Sequence, residues 1–208
     1  MFEVRLESGW EKKFERDVKR EINKRLMSSM NLITESIEFA LQTLVMDRLM
    51  TAPEVQSIAS GPLRVQLGLP DGASRIASVI ELWADSIEVS YVKALSDLGG
   101  ILIDFVDKDY SMALSLPAAE FTTEKGVSLP WLRWLLLEGS RAIVNSYSFK
   151  PSRFGRTKGG IMVRRDSSSW RVPAEAQGTA SDNFATRALE NIQDEIDVIV
   201  RREITKVL

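Results

Sequence analysis

Two groups of residues stand at spacings that catalysis uses. Ser90 and Lys93, in "SYVK", match the S-x-x-K pattern of acyl-enzyme serines, and Ser181-Asp182-Asn183 supplies an S-D-N further on. A nucleophile of that kind opens a helix, whereas Ser90 lies in the alternating run "SIEVSYVKA", and no K-T-G follows. The S-D-N is better explained as a helix cap. Asp104, Asp107 and Asp109, in "DFVDKDY", form the second group. A calcium loop needs D-x-D-x-D-G and a glutamate at its twelfth position, which counted from Asp107 is Ala118. The cluster therefore reads as solvated carboxylates at a strand end. It is also the one place where a carboxylate-only, metal-dependent nuclease could be built, since such an enzyme needs two convergent acids.

The chain of 208 residues has no cysteine and no histidine. Disulfide frameworks and thiolate metal sites are excluded, as is Ser-His-Asp catalysis, and zinc hydrolysis loses its commonest ligand. No cofactor is expected. Twenty-seven basic residues face 29 acidic ones, a net charge of −2. A protein whose main task is gripping nucleic acid carries a clear basic excess, so any DNA contact here must be local. One segment qualifies: Gly139 to Arg165 holds Arg141, Lys150, Arg153, Arg156, Lys158, Arg164 and Arg165 with no acid among them. "GRTKGG" within it shares only composition with a phosphate loop. Two readings stand: a solvated basic hairpin, or a finger in which Lys150, Arg153, Arg156 and Lys158 touch phosphates or an acidic partner.

The elements that must position these residues follow from periodicity. Trp10, Phe14, Val18, Ile22 and Leu26 recur every four residues, and Ile33, Ile37, Leu41, Leu44 and Leu49 continue after "SSMN". That predicts one long helix over 1–50, or two joined near Ser28-Asn31. A stripe spaced by fours drifts around a straight helix, so the first half must bend or meet a partner. "TAPEVQSIASGPLRVQLGLPDGA" reads as a crossing loop with "LRVQLGL" as a short strand, and "ASRIASVIELWADS" as a short helix. "SIEVSYVKA" and "GILIDFVD" alternate as strands around the loop "LSDLGG", and "YSMALSL" reads as a weaker strand. "AIVNSYSF" and "GIMVRRD" are strands joined by "KPSRFGRTKG". "WRVPAEAQGTASDN" is irregular, and a closing helix over 181–208 starts from a cap among Ser181, Asp182 and Asn183. The class is α+β: a small, mainly antiparallel sheet over 51–180 packed with a long N-terminal helix, a short central helix and a C-terminal helix in one domain.

"LPWLRWLLL" is too short to cross a bilayer, since as a helix it extends about 13 Å against a hydrocarbon core of about 30 Å. The charged N-terminal stretch has no apolar core of a secretory leader. Pro130 suits the first turn of a helix and Gly139 its C-terminal cap. Between them only Arg133 is an obvious outward group, so the helix is buried on more than one side. Trp131 and Trp134, with Trp170 beyond the basic block, are expected to anchor the segment from which the basic loop projects.

The succession "GPLRVQLGLPDG", "LPWLRWLLLEG", "SRFGRTKGGIM", "WRVPAEAQGT" and "DNFATRALE" resembles the neck or tail-completion (head–tail joining) proteins of tailed bacteriophages. The likeness runs from about Ile33 to Leu208, leaves the N-terminal thirty residues uncovered, and rests on scaffold residues. It implies a virion structural protein without enzymatic activity. Copies would form a ring, commonly six-fold or twelve-fold, between capsid connector and tail terminator proteins. DNA would pass non-specifically through the channel, with assembly in the host cytoplasm. Other tail components (terminator, tube or baseplate protein) and a non-viral adaptor or binding module are the competing readings.

Overall fold

The computed structural model describes residues 9–92, 99–105, 107 and 109–206. In chain order the helices and strands are α1 (Trp10–Ser28), α2 (Met30–Thr51), α3 (Pro53–Ala59), α4 (Pro62–Gln66), α5 (Gly72–Asp85), β1 (Ile87–Val92), β2 (Gly100–Phe105), α6 (Ser111–Ser115), β3 (Phe121–Thr122), β4 (Ser128–Leu129), α7 (Trp131–Leu136), β5 (Val144–Pro151), β6 (Gly160–Trp170), α8 (Phe184–Ala188) and α9 (Gln193–Thr205). Short 3-10 turns stand at Pro117–Ala119 and Ala174–Ala176. The α+β class is as expected. Among the described residues, however, the strands do not join into one sheet but form three two-stranded ones, β1-β2, β3-β4 and β5-β6.

Contacts divide the chain into two compact units. The first takes α1, the opening turns of α2, the β1-β2 pair and α9. Its core is the face of α2 formed by Met30, Ile33, Ile37 and Leu41. Glu38 accepts the Val89 backbone N–H at 3.2 Å, so α2 holds β1. On α9 the buried Glu203 accepts the Ser36 hydroxyl at 2.7 Å and pairs with Arg202 at 2.7 Å and Lys206 at 2.6 Å. The Lys206, Ser36 and Arg202 hydrogen bonds bring its carboxyl pKa from the ordinary 4.5 down to about 2. The loop "LSDLGG" lies outside the described residues apart from its glycines.

The second unit takes the last turns of α2, α3 to α5, and Phe105 to Ile192. Its core gathers Leu49, Ile58, Leu69, Ile76, Ile80, Trp83, Trp131, Leu132, Leu135 and Phe184, all below 2% exposed. Three expectations fail here. The crossing loop is helical, because Pro53 and Pro62 occupy first-turn positions, where the missing N–H costs nothing. "LRVQLGL" accordingly holds α4 rather than a strand. "YSMALSL" is α6: Asp107 accepts the N–H groups of Met112 at 2.8 Å and Ala113 at 3.0 Å, and Asp109 that of Ser111 at 3.1 Å. Carboxylates upstream thus satisfy orphan donors of a helix start.

At the C-terminal end the expected cap is Asn183, whose side chain accepts from Ala185 and Thr186 while Thr186 returns a bond to the Asn183 N–H. This capping box starts α8, not one closing helix over 181–208. Asn191, at φ +61°, takes the left-handed conformation that interrupts a helix, and α9 begins two residues later. In α2 the buried residue of the fourth turn is Val45, with the expected Leu44 half-buried beside it.

Candidate functional site: a cationic hairpin beside an apolar groove

β5 and β6 pair antiparallel from Val144 opposite Trp170 to Pro151 opposite Gly160. Between the pairs Asn145–Ser169 and Tyr147–Arg164 the register jumps, so Arg165 to Ser168 lie opposite Ser146 alone. Ser146 and Ser167 take positive φ, 60° and 66°, to make this bulge. Asp166 in it and Arg164 beside it are 89% and 79% exposed. Extra residues on one strand bend it and send its side chains outward, as bulges do.

The four cations expected on the hairpin, Lys150, Arg153, Arg156 and Lys158, are all exposed. Arg156 is also held: it donates from Nε to the Gly68 carbonyl at 2.8 Å and lies 4.8 Å from the Phe121 ring centroid. Partial burial lowers its pKa from the ordinary arginine value, with Glu124 opposing. Thr157 beside it is buried, and a Cβ on Gly159 would press on Val65. The tip therefore folds back onto α4 and the β3-β4 pair, and the freely presented part is the bulge. The guanidinium stacks because Arg75 already fixes Phe121, 5.2 Å from its ring, and donates to the Glu120 carbonyl at 2.6 Å.

Trp131 and Trp134 sit on α7 as expected, 0% and 8% exposed, and Trp131 donates its indole N–H to the Ala118 carbonyl at 2.8 Å. Arg133 faces outward and pairs with Glu138 at 3.4 Å; Arg141 pairs with the same carboxylate at 2.8 Å. The Arg141 bond, then that of Arg133, lowers the Glu138 pKa. Gly139 is not the helix cap, which is Leu137. Its role is close approach: its N–H donates to the Gly178 carbonyl at 3.1 Å, and a Cβ there would strike Gln177 and Gly178 backbone. A Cβ on Gly178 would in turn strike the Leu135 carbonyl. Two chain segments cross here with no side chain between them. Nearby, Arg187 bridges Glu54 at 2.7 Å and Asp182 at 2.6 Å, tying α8 to α3.

Trp170 is only half-buried, because one side of it lines a groove of about 810 Å³. The groove is open and largely apolar, with Val127, Leu129, Trp134, Phe149, Ile161 and Met162 among its walls. Lys125 and Arg156 stand at it, with Glu124. Gln66 lines it too, and its carboxamide oxygen is buried without a hydrogen-bond partner. Sequence reading missed this groove, since its walls come from α4, the β3-β4 turn, α7 and both hairpin strands.

The catalytic spacings do not assemble. Ser90 is exposed on β1 and Lys93 lies outside the described residues; Asn183 is a cap. Asp107 is not a solvated strand-end carboxylate: it is 1% exposed, and besides α6 it accepts the Trp83 indole N–H at 3.1 Å. Asp109, held by its Ser111 bonds, has a lowered pKa. Among the described residues no three carboxylates converge as metal ligands, and no helix is long and apolar enough to cross a membrane. No protein-family model matches this chain, and neither a curated protein nor a solved structure does.

Proposed function

We propose that this chain is a virion structural protein of a tailed phage, forming a ring at the neck that joins capsid connector to tail around the DNA channel. The carrying observation is the β5-β6 hairpin. Its exposed Lys150, Arg153, Lys158 and Arg164 belong to an acid-free stretch on a scaffold held by α7 and the Gly139–Gly178 crossing. This scaffold is made of the segments that carry the resemblance, and within one compact unit they occupy successive places. A near-neutral chain with local exposed cations suits a conduit, because tight phosphate binding throughout would stall the genome.

The reading makes the protein a component of particles. Mass spectrometry and imaging of purified virions should find it in a fixed copy number at the head–tail junction. Absence from particles would overturn the proposal. Replacing Lys150, Arg153 and Lys158 by glutamine should leave folding within about 0.5 kcal/mol, as expected for exposed charges, while lowering particle yield or genome retention. Fully infectious particles would show the three cations to be ordinary solvated charges.

A further inference from the structure

We infer that α1 of one copy docks in the groove beside the β5-β6 hairpin of a second copy, as an amphipathic helix in an apolar cleft. Within its own chain α1 buries no residue; Trp10 is 41% exposed, Phe14 62% and Val18 39%. These three recur at i, i+4 and i+8, the spacing of anchors that a helix lays into a groove. At about 100° per residue, Glu11, Asp17 and Glu21 fall on the same side as this stripe, as does Arg25 two turns beyond Val18, whereas Lys12, Arg16, Lys19 and Arg20 fall away from it. From Trp10 to Glu21 the apolar face of α1 is thus edged by acids. Glu15, Asp17 and Glu21 do make pairs along α1, with Lys19, Arg20 and Arg25 at 2.9, 3.0 and 3.5 Å. Exposed pairs of that kind contribute little to stability and are readily exchanged.

The groove is the complement. Lys125 and Arg156 stand at it against the single acid Glu124, and the hairpin that supplies one wall carries Lys150, Arg153 and Lys158 outside the groove lining, with no acid before Asp166. At these exposures Trp10 and Phe14 together would remove roughly 450 Å² counted over both surfaces. A stable interface begins at about 1,000 Å², so Val18 and the charged edges must contribute the rest. Helix and groove are different patches, so the contact is heterologous and can close into a ring. The inference names the protomer contact for the neck reading but does not require a virion.

Because the chain has no cysteine, the contact can be tested in the full-length protein by introducing single ones. Val18→Cys and Val127→Cys chains, mixed and oxidised at high concentration, should link to each other at least ten-fold faster than either links to itself. Adding Trp10→Ala and Phe14→Ala to the helix partner should reduce linking at least ten-fold with its melting temperature unchanged. Predominant Val18→Cys self-linking would mean that α1 pairs with α1 and would overturn the inference. So would a cross-link closed within one doubly substituted chain, no cross-link at all, or linking indifferent to Trp10 and Phe14. Particle content is read separately: a chain found in virions but never linked sinks this contact alone, and a linked chain absent from virions sinks the neck reading alone.

Discussion

A carboxylate loses a great deal on leaving water unless donors replace the water it gives up. Asp107 has three, the Trp83 indole and the N–H groups of Met112 and Ala113. Asp107→Ala should therefore cost about 3 kcal/mol, since it strands buried donors as well as removing charge-assisted bonds. Urea unfolding measures this, and a midpoint equal to that of the parent would refute the role. Glu203 makes a prediction in pH. Its folded pKa lies below the unfolded one, so its contribution is fully present above about pH 4.5. That contribution is lost as pH falls toward 2. Its partners Arg202 and Lys206 are 55% and 59% exposed, so solvent moderates the size. Glu203→Gln should flatten the acid limb of stability against pH between those values; an unchanged limb would assign it to other carboxylates. Neither role was readable from sequence, because Asp107 looks like its solvated neighbours until Trp83 arrives from twenty-four positions away.

Among the elements, those with several turns or pairs were readable. α5, the α1-to-α2 break at Ser29 and the β5-β6 hairpin follow from repeated apolar spacing or from two alternating runs around glycines. α3, α4 and α6 are too short to show a period, and proline at a helix start is the same letter as proline in a loop. Nor does alternation say which strands will share a sheet. α7 was readable by composition, and here the two tryptophans separate. Trp131 is enclosed, so Trp131→Ala should lower stability by about 3–5 kcal/mol. Trp134 borders the groove, so Trp134→Ala should cost less, yet weaken Val18-to-Val127 linking between copies more. Thermal melts beside linking rates decide this; equal melting losses would place both solely in the core.

Considered as an assembly part, the molecule presents dissimilar surfaces rather than one self-complementary patch. Its oligomers should accordingly grow with concentration, pass dimers without stopping, and weaken with added salt as the charged edges are screened. Light scattering from low to high salt tests this, and a salt-independent closed dimer would contradict it. The Gly139–Gly178 crossing has a consequence of another kind. The whole basic hairpin lies between the two strands of one clasp in the second unit, where Gly139 and Gly178 meet backbone to backbone. Trypsin can reach the exposed Arg164 beside the bulge without disturbing that clasp. A single nick there should leave two fragments that migrate as one species until denaturant is added. The same two pieces, expressed separately, would be a natural split pair for reconstituting the protein inside a cell.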